Sequence, residues 1–78
     1  MIIKILGGGC KNCQTLYKNT LEALKTLDLE AEVLKVEDIS EIMSYGVMKT
    51  PALIIDDELK IMGRVPKSKE LVKLLKSY

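Results

Sequence analysis

Histidine, tryptophan and phenylalanine are absent from this 78-residue chain, and cysteine and proline occur only twice each. Without histidine, the chain has no imidazole to serve as a general base or as a metal ligand. Its 12 basic and 11 acidic residues leave a formal charge of +1, which gives no general attraction to nucleic acid or to an anionic membrane. No apolar stretch is long enough to span a bilayer.

The two cysteines are expected to be in a reducing compartment. The N-terminal apolar run is too short for a secretory signal and contains Lys4, so we expect a cytoplasmic protein that acts as a monomer. Cytosolic thiols are kept reduced, and a bridge across two intervening residues would constrain very little chain. The pair is predicted to be reactive rather than structural.

Hydrophobic periodicity predicts one domain, residues 1–78, with its elements in the order βαβαββα. Residues 1–6 are almost continuously apolar, which indicates a strand buried on both faces. A helix is predicted over 11–27, a parallel strand over 32–36, and a short helix that Asp38 caps and Gly46 ends. That short helix is expected to direct three apolar side chains inward: Ile39, Ile42 and Met43.

The second half predicts an antiparallel pair of strands and a final helix. Thr50-Pro51 begins a strand at 52–55, a polar tip covers 56–58, and 59–62 return as the fourth strand. Gly63 ends that strand, and a helix begins at about residue 67. The fold class predicted is α/β, a three-layer α/β/α sandwich around a four-stranded mixed sheet.

Cys10-Lys11-Asn12-Cys13 follows the first strand through three glycines and opens the first helix. Unpaired backbone N–H groups and the helix dipole favour an anion at such a helix start. A Cys-x-x-Cys pair in that position can have a thiol pKa lowered from about 8.5 to as low as about 3.5. Lys11 adds a positive charge, so the pattern predicts thiol–disulfide exchange.

With these motifs in place, the chain resembles the thioredoxin/glutaredoxin superfamily, in the small redox-active disulfide form known from archaea and bacteria. Three features carry the resemblance: the Cys10–Cys13 motif after the first strand, Thr50-Pro51 before the third, and Gly63 after the fourth. It implies a thioredoxin-like fold over the whole chain. It also implies that Cys10 is the attacking thiolate, that Cys13 is the resolving thiol, and that Pro51 is a cis proline facing the disulfide.

The resemblance further implies an enzyme that reduces protein disulfides by dithiol exchange. An extended partner peptide would pair with the backbone at Thr50 and Pro51, and Gly9, Lys11 and Gly63 complete the predicted substrate-binding set. The chain has no nucleotide-binding fingerprint, so no cofactor is expected beyond its redox-active disulfide. Any flavin or NADPH would belong to a partner reductase.

The chain also departs from the thioredoxin pattern. Thioredoxins carry a buried aspartate six residues before the first cysteine, where this chain has Lys4, so the resemblance supplies no proton relay. Lys49 and Arg64 are expected either to rim the site and steer acidic partners or to be solvated. Tyr45, Val47 and Met48 form either an apolar patch beside the cysteines or, as we favour for Val47, part of the core.

Two other functions stay open at this point. Two thiolates suit Cu(I) or zinc, and small copper chaperones also place Cys-x-x-Cys after their first strand. Those proteins carry methionine two residues before the first cysteine, where this chain has Gly8, and they end on a strand rather than a helix. The remaining possibility is a non-catalytic interaction domain that kept the fold.

Overall fold

A computed structural model describes residues 1–7 and 10–77 of the chain. The predicted order of elements, βαβαββα, is confirmed over these residues. The elements are β1 (Ile2–Leu6), α1 (Lys11–Thr26), β2 (Glu32–Val36), α2 (Ile39–Ser44), β3 (Ala52–Ile55), β4 (Glu58–Met62) and α3 (Ser68–Leu75).

The four strands form one mixed sheet in the order β2-β1-β3-β4. β1 runs parallel to β2 and antiparallel to β3, and β3 runs antiparallel to β4. β4 begins at Glu58, which the sequence assigned to the turn; the turn itself is made by Asp56 and Asp57, with φ of 46° and 69°. Aspartate tolerates this left-handed conformation better than most residues, which allows so short a tip. The predicted thioredoxin-like α/β fold is confirmed.

One face of the sheet carries the larger part of the core, where α1 and α3 pack together. Ile3 and Ile5 of β1 point to this face and are at most 1% exposed. Thr20 is fully buried among them, and its hydroxyl donates to the Leu16 carbonyl oxygen at 2.8 Å, so its polarity is satisfied within α1. These contacts fix the helix that carries both cysteines against the sheet.

The opposite face is covered by α2, and the prediction for that helix is partly wrong. Ile42 is buried, whereas Ile39 and Met43 are 72% and 67% exposed. A helix of six residues makes fewer than two turns, so it presents few side chains to the sheet. Its ends are as predicted: Asp38 Oδ1 accepts from the Ser40 N–H at 3.0 Å, and Gly46 has a φ of 76°.

Because α2 is short, β1 is not buried on both faces as the sequence suggested. On the α2 side, Leu6 is buried, but Ile2 at the other end of the strand is 44% exposed. Lys4 lies between them, and its Nζ donates to the Tyr45 hydroxyl. That hydrogen bond raises the pKa of Lys4. The nearly unbroken apolar run of β1 therefore reflects its central place in the sheet rather than burial on two sides.

Candidate active site

Cys10 is the N-cap of α1, in extended backbone conformation (φ −69°, ψ 154°). Its Sγ accepts a hydrogen bond from the Cys13 N–H at 3.1 Å, and its carbonyl oxygen accepts from the Gln14 N–H at 3.0 Å. A sulfur atom thus fills the capping role that a serine or aspartate oxygen ordinarily fills. The first turn of α1 holds no acidic residue, so the helix itself places no carboxylate against negative charge at this sulfur.

Cys10 and Cys13 form a disulfide, with Cα atoms 5.1 Å apart. Cys10 is exposed, whereas Cys13 is buried, with only 5% of its surface exposed. A partner sulfur in solvent therefore has access to Cys10 but not to Cys13. This difference in access arises because Cys10 caps the helix while Cys13 faces the sheet one turn later.

Thr50 and Pro51 are joined by a cis peptide bond, and Thr50 lies close to the cysteine pair. Pro51 is buried and Thr50 is exposed. Gly7 shows how closely they approach: a Cβ placed on Gly7 would lie 2.5 Å from Cys13 Sγ and 3.3 Å from Thr50 Cβ. The structure therefore brings together the cysteine motif and the Thr50-Pro51 turn, which are far apart in sequence, around one glycine.

Gly7 is a site residue that the sequence did not single out from its glycine run. Its φ of 139° is one that side chains rarely adopt, and its N–H donates to the Val36 carbonyl oxygen at 2.9 Å. The signal that was available is a glycine directly after a buried strand and close to Cys-x-x-Cys. What could not be seen is that the sulfur of Cys13 takes the space of the missing side chain.

Gly63 supports the same turn from β4. Its N–H donates to the Pro51 carbonyl oxygen at 2.9 Å, and a Cβ on it would lie 3.2 Å from both Cβ and Cδ of Lys49. The stem of Lys49 thus lies over Gly63, which places this cation beside the Thr50-Pro51 turn. The predicted substrate-binding residue Gly63 contacts the turn from behind rather than the cysteines.

Arg64, the other predicted rim cation, is engaged elsewhere. Its Nη1 donates to Glu70 Oε1 at 3.0 Å, and its Nη2 pairs with Glu70 Oε2. This bidentate hydrogen bond lowers the pKa of Glu70 and raises that of Arg64. Glu70 of α3 thus neutralises the charge of Arg64. Of the two predicted rim cations, Lys49 is the one that lies at the Thr50-Pro51 turn.

The remaining residues predicted to lie at or near the site are found in different environments. Lys11 is exposed at the start of α1, whereas Gly9 lies outside the described residues. Val47 is 5% exposed and belongs to the core as favoured, but Met48 is 90% exposed, so the three residues do not form one patch. Tyr45 is partly buried and contacts Lys4 instead of the cysteines.

A cavity of about 300 Å³ opens beside Cys13. Its walls come from β1, α1 and the end of β2. They are formed by Ile5, Gly7, Cys13, Gln14, Tyr17, Lys35 and Glu37. Lys35 and Glu37 could not be placed near the cysteines from sequence alone, because they lie at and just after the end of β2, on the far side of the first helix in the chain.

Within residues 1–7 and 10–77, no three His, Cys, Asp or Glu side chains are grouped so as to hold a metal ion. None of the helices in that part of the chain is long and apolar enough to cross a membrane. The arrangement that the described residues do present is an exposed, amide-capped sulfur bonded to a shielded one, beside a proline turn.

Comparison with known proteins gives a consistent result. The family model described as "Thioredoxin domain" matches residues 1–76. The chain is 47% identical over 75 residues to a thioredoxin of Methanothermobacter thermautotrophicus, covering 96% of this chain and 97% of that protein. It is 37% identical over 78 residues to a thioredoxin of Methanocaldococcus jannaschii, covering 100% of this chain and 90% of that protein. Neither relative favours the metal-binding alternative.

Proposed function

Since this chain belongs to the thioredoxin family and is a thiol–disulfide oxidoreductase with a Cys10–Cys13 redox pair, we propose that Cys10 attacks protein disulfides and that Cys13 resolves the product. The observation that carries this assignment is the difference in access between the two sulfur atoms. Cys10 is exposed at the helix start, and Cys13 is 5% exposed.

The first step takes place at Cys10 in the reduced protein. Its thiolate attacks one sulfur of a substrate disulfide, a mixed disulfide forms, and the other substrate sulfur leaves as a thiolate. The N-cap position supports this role, because the Cys13 N–H that reaches Cys10 Sγ at 3.1 Å is a donor suited to negative charge. Lys11 adds a positive charge to the same turn.

The second step closes the disulfide. The Cys13 thiolate attacks Cys10 Sγ, the bond from Cys10 to the substrate breaks, and the second substrate sulfur leaves carrying the electron pair. The substrate is reduced by two electrons, and the Cys10–Cys13 pair is oxidised by the same two. The bond that forms is the one seen in the structure, across which the two Cα atoms are 5.1 Å apart.

In this proposal the substrate segment lies along the exposed Thr50, and Gly9, the residue before Cys10 in the sequence, completes the binding set. Gly63 supports the turn through its bond to Pro51, and Lys49 adds a cation at its edge. Extended segments that bind in this way obtain affinity from main-chain hydrogen bonds and selectivity from the neighbouring side chains. Lys11 and Lys49 favour substrates with acidic residues near the disulfide.

Disulfide-containing proteins are the substrates of this family, and a reductase is its general partner. For this chain we infer that the reductase carries whatever flavin or NADPH the cycle uses, and that the chain itself needs no cofactor beyond its disulfide. We further propose a cytoplasmic location and a monomeric state, which leave the exposed Cys10 accessible to substrate proteins.

The cysteine roles are tested with Cys10→Ser and Cys13→Ser, each serving as the control for the other. Reduction of a disulfide-bonded substrate protein by dithiothreitol is followed with catalytic amounts of each variant. Cys10→Ser is expected to abolish catalysis. Reduced Cys13→Ser, freed of dithiothreitol and mixed with the oxidised substrate, is expected to accumulate a mixed disulfide that mass spectrometry detects. Catalysis at the wild-type rate by both variants, or a mixed disulfide on Cys13 of the Cys10→Ser variant only, would contradict the assignment.

A further inference from the structure

We propose that the Glu37 carboxylate accepts the proton that Cys13 loses when it resolves the mixed disulfide. This inference rests on the proposed function, in which Cys13 is the resolving thiol. A thiolate, not a thiol, attacks a disulfide, and burial in apolar surroundings favours the neutral thiol. Cys13 is 5% exposed and the chain has no histidine, so the proton needs another acceptor.

The pairing of β1 with β2 brings Glu37 to the right place. Leu6 is in register with Val36, and the Gly7 N–H donates to the Val36 carbonyl oxygen at 2.9 Å. Glu37 therefore leaves β2 beside the glycine that packs on Cys13, since a Cβ on Gly7 would lie 2.5 Å from Cys13 Sγ.

The direction of the side chain agrees with this placement. Side chains alternate along a strand, so Glu37 shares a face of the sheet with Lys35, which pairs with Ile5 on the side of α1. Glu37 and Cys13 line the same cavity of about 300 Å³. Water takes up roughly 30 Å³ per molecule in the liquid, so the cavity is large enough for a water molecule to bridge Cys13 and Glu37 and carry the proton between them.

Other charged groups near Cys13 are poor acceptors. Lys4 points to the opposite face, where its Nζ donates to the Tyr45 hydroxyl. Tyr17 and Lys35 line the cavity with Glu37, and the Lys35 Nζ lies 4.3 Å from the centroid of the Tyr17 ring. A lysine ammonium has donors but no acceptor and a tyrosine hydroxyl is a weak base, so the carboxylate is the proton acceptor among these three side chains.

The step balances as follows. The proton passes from Cys13 Sγ to the Glu37 carboxylate, the Cys13 electron pair forms the bond to Cys10, and the substrate sulfur leaves as a thiolate. Glu37 is exposed, so it can return the proton to solvent, from which the departing thiolate is protonated. No oxidant or reductant other than the substrate disulfide and the dithiol takes part.

The test is the stopped-flow reaction of the fully reduced protein with Ellman's reagent. Thionitrobenzoate is released first when Cys10 attacks and again when Cys13 displaces the reagent from Cys10, so the second release reports resolution alone. Glu37→Gln is compared with Glu32→Gln, which removes the same charge from the far end of β2, outside the cavity. Glu37→Asp keeps a carboxylate at the site.

Glu37→Gln is expected to slow the second release about tenfold at neutral pH, which is less than the roughly 10²–10⁴-fold typical of general acid–base catalysis because water also reaches the cavity. The first release should keep its wild-type rate, and the second should now rise with pH up to the range of an ordinary thiol. Glu37→Asp should recover part of the rate, and Glu32→Gln should match wild type.

Three results would overturn the proposal: an unchanged second release in Glu37→Gln, equal slowing in Glu32→Gln, or a loss that Glu37→Asp does not relieve at all. Failure of the cysteine roles has a different signature. If wild type shows no second release, or if Cys13→Ser retains it, the resolving thiol itself has been misassigned, and the Glu37 variants are not needed to see this.

Discussion

Gly7→Ala adds a single methyl group against Cys13 and Thr50, and we expect it to destabilise the fold strongly. The added Cβ would lie 2.5 Å from Cys13 Sγ, so the sulfur must retreat by about 0.9 Å to reach the 3.4 Å at which ordinary contact begins. Cys13 is held in the disulfide and in the first turn of α1, so its sulfur has little freedom to retreat.

Two costs contribute to the expected loss of stability. A residue other than glycine at a φ of 139° carries backbone strain of about 1–3 kcal/mol. Overpacking against the sulfur and Thr50 adds about 1–3 kcal/mol. We therefore expect Gly7→Ala to lower the free energy of unfolding by about 2–6 kcal/mol, and each kcal/mol corresponds to about 4–8 °C in Tm for a domain of this size.

The measurement is guanidinium unfolding of the oxidised protein, with Gly46→Ala as the matched control. Gly46 also has a positive φ, of 76°, but a Cβ there meets nothing within 4 Å. Its substitution should cost only the backbone term, about 1–2 kcal/mol. If Gly7→Ala costs no more than Gly46→Ala, Cys13 Sγ does not pack on Gly7 and the site geometry derived from that contact is wrong.

Two further predictions concern α2 and the ion pair of Arg64. Ile42 is 7% exposed, so Ile42→Ala should lower the free energy of unfolding by about 2–4 kcal/mol in a denaturant titration. Met43 is 67% exposed, so Met43→Ala should change the same free energy by less than about 0.5 kcal/mol. Similar losses in both variants would contradict the orientation of α2. Arg64 lowers the pKa of Glu70, so the pair stabilises the fold at pH values above the ordinary glutamate pKa, and this contribution is lost as pH falls through the folded value. Thermal unfolding of Glu70→Gln should therefore show a deficit against wild type at neutral pH that shrinks near pH 3, and a deficit that is constant with pH would refute the linkage.

The local features of this chain could be predicted from sequence because each depends on near neighbours. Cys10 caps α1, and Gly46 and Gly63 end their elements, all within a few residues of the sequence signals that predicted them. The element order follows from the same short-range periodicity. With that order known, the family's spacing of Cys10 and Pro51 was enough to expect the two near each other.

The features that could not be predicted depend on how long one element is relative to another. Ile39 and Met43 have the spacing of buried residues, but α2 is too short to direct them onto the sheet. The exposure of Ile2 follows from the same short helix, because nothing in the apolar run of β1 indicates how far its cover extends. Glu37 is near Cys13 only because β2 pairs with β1 in one particular register.

The lack of histidine gives these long-range contacts a chemical consequence. In the proposed cycle the two thiols are deprotonated at different times. Cys10 must be a stable thiolate before the substrate arrives, and Cys13 must lose its proton only afterwards. The backbone N–H at 3.1 Å from Cys10 Sγ serves the first need continuously, because an amide cannot be titrated away. A carboxylate across a cavity serves the second, because it takes a proton and returns it to solvent. Because a backbone amide stabilises the Cys10 thiolate and a side chain deprotonates Cys13, a change in one of these groups need not alter the other thiol. For this reason Glu37→Gln should leave the reactivity of Cys10 unchanged.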